Sequence, residues 1–183
     1  MVSLEMFVTK GGRMDQWLRL AVRPEWSEIE GIRGRARAFL DGFGFGPEVV
    51  DAVAMVTCEL VENAIKYGEF RRPEDSIHVL IAVDAHAVTV EVKNRVSEKP
   101  QHSNLQRLDE MIQWIRGFQD PFQAYLERLK VVSGQSLTSK ESGLGLVRIA
   151  YEGQCILDFF VDAQDVLAVS AVYRLGRSAK RAS

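Results

Sequence analysis

The spacing of hydrophobic residues changes several times along this chain, and each change predicts a different element. Two short apolar runs, Val2–Val8 and Trp17–Val22, stand on either side of Lys10, Gly11 and Gly12. A Gly-Gly pair between such runs favours a tight turn, because glycine adopts the backbone angles that hairpin turns need. The first 22 residues are therefore predicted to form a β-hairpin.

Two helices are predicted to follow the hairpin. Ser27 and Glu30 have the spacing of a capping box, so the first helix should begin there and run to about Leu40. Pro47 suits the first turn of a longer helix, which should run to Tyr67 and end at the glycine behind it. An apolar stripe at helical spacing predicts the core face of this longer helix: Val50, Val53, Ala54, Thr57, Leu60, Val61 and Ala64.

Strand and helix patterns alternate in the middle of the chain. Residues 76–83 and 87–93 are rich in β-branched side chains, which predicts an antiparallel pair with a turn between them. An amphipathic helix is predicted around Leu105–Ile115, and Asp120 followed by proline predicts the start of another. The predicted apolar face of that second helix consists of Phe122, Leu126 and Leu129.

The end of the chain predicts one more helix and a second strand pair. The helix should begin after Gly145 and run to about Glu152, and the strands should cover about 154–161 and 166–173. Hairpin-connected strands with helices gathered on one face predict an α/β (α+β) two-layer sandwich. Its sheet is predicted to be mixed and mostly antiparallel.

Length and composition fit one ordinary domain, predicted over residues 1–175 and followed by a basic tail at 176–183. The net charge of −2 supplies no field that would attract nucleic acid or anionic lipid. No apolar run reaches the ~18 residues that a membrane span needs. Cys58 and Cys155 lack metal-ligand spacing and are predicted to be small buried hydrophobes. We therefore expect a cytoplasmic protein with no nucleic-acid or membrane partner.

Two polar residues lie at the edge of the apolar face of the long helix. Glu59 and Asn63 are four residues apart and so stack on one side, and Lys66 continues the row. Such a row is typical of a solvated helix surface. A carboxylate, an amide and an amine in line can also act as proton acceptor, metal ligand and phosphate contact. The row alone leaves both interpretations open.

The segment from Glu59 to Gly68 reads Glu-Leu-Val-Glu-Asn-Ala-Ile-Lys-Tyr-Gly. It closely resembles the N-box of the gyrase, heat-shock chaperone, histidine kinase and mismatch-repair (GHKL) ATPase superfamily. The resemblance is strongest to the anti-sigma-factor serine kinases and the histidine-kinase catalytic domains, and it implies a Bergerat-type ATP-binding fold. It further implies that Glu59 is the general base, that Asn63 binds the Mg²⁺ bridging the phosphates of ATP, and that Lys66 meets those phosphates.

A glycine-rich segment precedes the last predicted helix, and it consists of Ser142, Gly143, Leu144, Gly145 and Leu146. Glycine lets a backbone approach a phosphate closely, and a helix N-terminus offers free N–H groups. Two glycines alone are weak grounds for a phosphate site. This segment is also similar to the second glycine box of the anti-sigma kinases, which implies that it binds the nucleotide phosphates.

The chain departs from the superfamily pattern between these two motifs. The superfamily has Asp-x-Gly-x-Gly after the second strand, where its aspartate binds the adenine amino group. Here Asn94 stands at the aspartate position and both glycines are missing. An amide oxygen still accepts a hydrogen bond, although more weakly than a carboxylate. Asn94 is therefore either an adenine contact or a plain strand-end turn former.

The predicted helices within about 95–141 form an insertion that is long for a lid of the anti-sigma kinases. Three roles stay open for it. The insertion could fold over the nucleotide, dock a partner, or extend the core, and amphipathic helices most often do the last.

Two functions follow from these motifs. The first is a stand-alone Mg-ATP-binding regulator, a serine/threonine protein kinase of the anti-sigma-factor type. Its resemblance implies a regulatory protein partner, either a sigma factor or an anti-sigma antagonist, and a homodimer is left open. The alternative is a nucleotide-impaired binding module that regulates its partner by protein–protein contact. Glu59 and Asn63 favour the enzyme, and Asn94 favours the binding module.

Overall fold

The computed structural model describes residues 2–8, 14–96, 103–134 and 143–176. The helices in these ranges are α1 (Glu28–Asp41), α2 (Pro47–Tyr67), α3 (Ser103–Arg116), α4 (Pro121–Ser133) and α5 (Leu144–Tyr151). The strands are β1 (Val2–Val8), β2 (Met14–Val22), β3 (Ile77–Val83), β4 (Ala87–Arg95), β5 (Cys155–Val161) and β6 (Val166–Arg174). The predicted turn at Gly11 and Gly12, and the basic tail from residue 177 onward, lie outside the described residues.

The strands form one sheet in the order β1-β2-β3-β4-β6-β5, and each neighbouring pair is antiparallel. Side chains alternate across the sheet, so one face of β3 is buried while the other is more exposed. The buried face meets the helices, with α2 packed against β3 and β4, and α5 against β5. The predicted two-layer α/β sandwich is confirmed, and β1 and β2 pair antiparallel as the predicted N-terminal hairpin requires.

Helix α2 forms the centre of the helical layer, and its bounds agree with the prediction. Pro47 occupies the first turn, where its missing N–H breaks no hydrogen bond. Gly68 ends the helix, and its N–H donates to the carbonyl of Ala64 at 2.8 Å. Every residue of the predicted core face is buried, and Val56 and Cys58 are buried beside them.

The predicted capping box at the start of α1 is wrong. Ser27 does precede the helix, but its own backbone is already helical and its side chain makes no capping hydrogen bond. The hydroxyl instead donates to the Glu25 carboxylate at 3.4 Å. An N-cap side chain reaches the next N–H groups from an extended backbone, so the helical backbone of Ser27 directs the hydroxyl elsewhere.

The apolar face predicted for α4 is only partly turned inward. Leu129 is half-buried, but Phe122 and Leu126 are 40% and 39% exposed, whereas Ala124 is completely buried. Helix α4 packs against α5, and the Phe122 and Tyr125 rings both lie near Tyr151, at centroid distances of 5.0 and 5.2 Å. Packing between segments, and not the number of apolar residues, thus determines which face of α4 is turned inward.

Helix α3 belongs to the same hydrophobic core as the sheet and α2. Ile112 and Ile115 are buried in that core. At the end of α3 the Arg116 guanidinium donates to the carbonyl of Leu157 at 2.7 Å, on the edge strand β5. The described part of the 95–141 insertion therefore extends the core of the domain. Whether it also covers a nucleotide stays a prediction.

Candidate functional site

Glu59 and Asn63 lie on the side of α2 that faces α5. They are one helical turn apart, about 6 Å along the axis, and both are partly buried between these helices. The Glu59 side chain is only 15% exposed. A carboxylate at this depth is costly to charge without a partner, so its surroundings determine its chemistry.

The start of α5 contacts this side of α2 at Gly145. A Cβ atom added to Gly145 would lie 2.6 Å from Glu59 Oε2 and 3.8 Å from Asn63 Nδ2. A side chain at this position would have to displace the Glu59 carboxylate, so the close contact depends on glycine. The structure thereby brings Gly145 against Glu59 and Asn63, which lie more than 80 residues earlier in the sequence.

The glycine segment turns into α5 through Gly143, whose φ of 61° and ψ of 14° are left-handed. Glycine adopts this conformation without steric cost. The N-terminus of α5 carries the positive end of the helix dipole, which suits an anion. Leu144 and Leu146 anchor the segment by packing against the core. Ser142, also predicted as a site residue, lies outside the described residues.

Two arginines that sequence reasoning missed border the glycine segment. The guanidinium of Arg128, on α4, lies over Gly143, where Nη2 would be 2.6 Å from an added Cβ. Arg148, on α5, forms an ion pair with Glu59 Oε1 through Nη1. Arg148 follows Gly145 by three residues and precedes Glu152 by four. This spacing is the sequence signal that could have indicated Arg148 as a site residue.

Burial and Arg148 act on Glu59 in opposite directions. Loss of solvent raises the pKa of Glu59, and the neighbouring Arg148 charge opposes this effect. The net pKa of Glu59 is raised above its ordinary value. A carboxyl group with a raised pKa is a stronger proton acceptor when ionised, which suits general-base chemistry near neutral pH.

Lys66 continues the row on α2, but its ammonium group lies over the Trp26 ring, 5.5 Å from the centroid. The side chain is exposed, and its charge weakly favours ionisation of Glu59. A phosphate contact by Lys66 stays a prediction.

Asn94 belongs to β4 and lies beside the C-terminal end of α2. It is 5% exposed, and its Nδ2 donates to the carbonyl of Arg95 at 2.9 Å. A Cβ on Gly68 would meet that Nδ2 at 2.8 Å, so the end of α2 rests directly on Asn94. Asn63 and Gly68 are five residues apart, which places Asn94 about 7.5 Å beyond Asn63 along the helix axis.

A cavity of about 270 Å³ opens beside Asn94 and Phe70. Its lining includes His78 and Lys93, which are exposed on their strands and so lie on the outer face of the sheet. The cavity thus opens at the end of the sheet and reaches the face opposite the helices. Because of this position, we do not assign the cavity to the adenine of a nucleotide bound beside α2.

Comparison with known proteins identifies the family to which the chain belongs. Residues 22–150 match the family model described as a histidine kinase-like ATPase domain, and this range holds more than half of the chain. It contains Glu59, Asn63, Asn94 and the whole glycine segment. The chain belongs to this family.

This histidine kinase-like ATPase domain is also similar to a solved structure. It matches a chain in the crystal structure of the SiaB-SiaC complex from Pseudomonas aeruginosa with a TM-score of 0.65 and 24% sequence identity. The match covers 85% of this chain and 88% of that chain. At this identity the likeness shows a shared fold. No curated protein sequence matches the chain significantly.

Membership of an ATPase family makes ATP the expected ligand, and Mg²⁺ would accompany its phosphates. Within the described ranges, no group of three or more His, Cys, Asp or Glu side chains could hold a metal ion. Mg²⁺ in nucleotide sites often has only one or two protein ligands, the phosphates and water supplying the others. A single Asn63 amide beside the glycine segment fits that arrangement, because a half-turn of the amide presents its oxygen in place of its nitrogen.

Two further predictions concern properties of this histidine kinase-like ATPase domain away from the site. No helix among the described residues is long and apolar enough to cross a membrane. Cys58 and Cys155 are both buried and free, as predicted. Burial raises the pKa of the Cys155 thiol to about 12. That thiol is therefore inert near neutral pH.

Replacing Asn94 with aspartate should destabilise this domain. The change exchanges a donor for a buried oxygen that faces the Arg95 carbonyl. We expect the free energy of unfolding to fall by roughly 1–3 kcal/mol, the cost of an unsatisfied buried group. Urea unfolding of the variant and of the wild type measures this fall in the free energy of unfolding. The corresponding amide-to-acid substitution at exposed Gln123, in the first turn of α4, is the control and should be neutral. Equal stability of Asn94→Asp and wild type would show that the amide is not needed as a donor.

Proposed function

We propose that this chain is a Mg-ATP-dependent serine/threonine protein kinase that regulates a protein partner by phosphorylating it. The observation that carries the proposal is the placement of Glu59 against Gly145, one helical turn from Asn63. A proton acceptor and an amide ligand thus lie beside a helix N-terminus that suits phosphate. Phosphoryl transfer needs little else from a protein, since positioning and electrostatics supply most of the catalysis.

Each residue has a distinct role in the proposed reaction. The N–H groups at the start of α5 bind the phosphates of ATP, and the Arg128 guanidinium over Gly143 adds positive charge there. Asn63 would supply an oxygen ligand to Mg²⁺, and the bound ion would neutralise charge on the phosphates. Glu59 accepts the proton of the partner's serine or threonine hydroxyl as its oxygen attacks the terminal phosphorus of ATP. ADP leaves with the bridging oxygen, and the partner keeps the phosphoryl group.

The partner is proposed to be a sigma factor or an anti-sigma antagonist, with a homodimer as a further possibility to be tested. The similar SiaB-SiaC structure is a complex of two proteins, which supports a protein partner for a chain with this fold. Phe122 and Leu126 on α4 and Trp114 on α3 expose apolar surface on the helical layer. Large exposed apolar side chains of this kind are frequent where proteins meet.

The binding module is the second candidate function, and two observations favour it. Asn94 is only 5% exposed, and Glu59 is already paired with Arg148. The burial restricts access of a base to the Asn94 amide oxygen, and the pairing gives Glu59 a partner before any ligand binds. A module of this type would bind its partner equally well with and without nucleotide.

A transfer assay separates the two functions. The full chain is incubated with γ-labelled ATP, Mg²⁺ and proteins captured on it from the cytoplasm of its source cells. The kinase predicts label on a captured protein, in an acid-stable serine or threonine ester. Capture that is independent of ATP, without any labelled protein and without ADP release, would favour the binding module.

Substitution of Asn63 tests the metal site. Asn63→Ala removes the proposed ligand without disturbing the core, because the side chain lies at the edge of the buried face. We expect ATP affinity in Mg²⁺ to fall on the order of 10-fold or more, as for lost metal ligation, and affinity in EDTA to stay unchanged. Titration calorimetry measures both. Gln123→Ala, an exposed amide on α4, is the control. Equal losses with and without Mg²⁺ would assign Asn63 to the nucleotide itself.

A further inference from the structure

We propose that Arg148 is a positioning residue that holds the Glu59 carboxylate in place against Gly145. Its own guanidinium is fixed by Glu152. The inference rests on the proposed kinase function for its kinetic consequence, but the geometry it asserts can be tested without any turnover. Arg148 lies on α5 and Glu59 on α2, 89 residues apart in the sequence.

The Arg148 guanidinium uses its two sides for different partners. Nε and Nη2 donate to the Glu152 carboxylate, with distances of 3.1 to 3.3 Å. Nη1 donates to Glu59 Oε1. Because the guanidinium is planar and rigid, fixing one edge on Glu152 also fixes the direction of the other edge.

The two oxygens of Glu59 consequently face different surroundings. Oε1 is bonded to Arg148, and Oε2 is the oxygen that approaches Gly145. A hydroxyl brought to the phosphates at the start of α5 would meet Oε2. Arg148 thus leaves one oxygen directed at the reacting position and prevents the carboxylate from rotating away.

A lysine could not reproduce this arrangement in full. Its ammonium is a single point charge on a flexible stem, so it can pair with Glu59 or with Glu152 but does not orient one by binding the other. A purely structural ion pair between α2 and α5 would be insensitive to this difference. The pair Arg37–Asp51, at 2.7 Å between α1 and α2, is such a structural pair and provides the control.

The kinetic test uses Arg148→Ala, Arg148→Lys and the control Arg37→Ala. We expect Arg148→Ala to lower kcat by about 10–100-fold, the scale of a 1 Å misplacement of a reacting group. KM for ATP should change less than about threefold, because binding does not depend on Glu59. Arg148→Lys should recover part of kcat, and Arg37→Ala should match wild type. In a Glu59→Gln background, Arg148→Ala should cause no further loss, because Arg148 acts through Glu59.

The geometric test needs no transfer. The ¹³C carboxyl resonance of Glu59, assigned with Glu59→Gln, and the Gly145 amide resonance are compared among the same variants. Both should shift in Arg148→Ala and stay in place in Arg37→Ala. Shifted resonances in a chain that transfers no phosphate would remove the kinase and leave the positioning of Glu59 standing. Unshifted resonances, or a raised KM for ATP with unchanged kcat, would overturn the role of Arg148.

Discussion

Glu59→Gln should lower phosphoryl transfer by roughly 10²–10⁴-fold, the range that general-base catalysis contributes. Glutamine keeps the shape of the side chain and can still accept a hydrogen bond from Arg148, but it cannot take up a proton. ATP affinity should stay within about threefold of wild type, because a base acts on the chemical step and not on ground-state binding. Single-turnover transfer with labelled ATP measures the rate, and calorimetry measures the affinity.

Glu48→Gln is the matched control for this substitution. Glu48 is exposed in the first turn of the same helix, far from Gly145. It should transfer phosphate at the wild-type rate. If Glu59→Gln retained that rate too, the proton acceptor would have to be another group, and the proposed role of Glu59 would be wrong.

The pH dependence of transfer gives a second measure of the same residue. The base works only when ionised, so the rate should fall as pH decreases through the pKa of Glu59. Burial raises that pKa above its ordinary value of 4.5, and the acid limb of the rate profile should therefore lie above pH 4.5.

The raised pKa of Glu59 also makes the stability of the fold depend on pH, because it favours the protonated carboxyl in the folded state. The stabilisation that this shift provides is complete at low pH and is lost as the pH rises through the raised pKa.

Gly145→Ala should weaken ATP binding without destabilising the fold. Alanine is the better helix former by about 1 kcal/mol, so α5 should not be weakened by the backbone change. The added Cβ, however, would lie 2.6 Å from Glu59 Oε2 and must displace that carboxylate. We expect ATP affinity to fall on the order of 10-fold or more, since a displaced carboxylate and an added methyl group both obstruct the phosphates. Adenosine affinity should change little.

Gly34→Ala is the corresponding control, because a Cβ at Gly34 in α1 meets no atom within 4 Å. It should raise the free energy of unfolding by roughly 0.5–1 kcal/mol, the usual gain for alanine over glycine in a helix. Calorimetry with ATP and with adenosine, beside urea unfolding, covers both variants. Equal losses of ATP and adenosine affinity in Gly145→Ala would mean that the glycine segment does not bind phosphate.

The elements that the sequence predicted well carry their own start and stop signals. Helix α2 begins at Pro47 and ends before Gly68 because these residues are favourable only at helix ends. The strands follow from alternation, since one side of each has to face the helices. The meeting of Glu59 with the glycine segment was predictable only through the resemblance, because nothing local in either segment specifies the other.

Three features were not visible in the sequence, because they depend on the folded backbone and on packing between segments. Arg148 has its partner on another helix, and its position on α5 does not indicate which one. On α4 the completely buried residue is Ala124, which an apolar count ranks below Phe122 and Leu126. The buried amide of Asn94 bonds to its neighbour's carbonyl, and only the backbone at the end of β4 reveals this.

The order of strands in the sheet has a consequence for how the site is assembled during folding. Strands β4 and β6 pair directly, from Arg95 opposite Val166 onward, and so close a loop that holds residues 96–165. Closing so long a loop costs entropy that local hairpins do not have to overcome. Glu59 precedes this loop and Gly145 lies inside it. A substitution that weakens the β4–β6 pairing can therefore separate Glu59 from Gly145, although the substituted residue contacts neither of them.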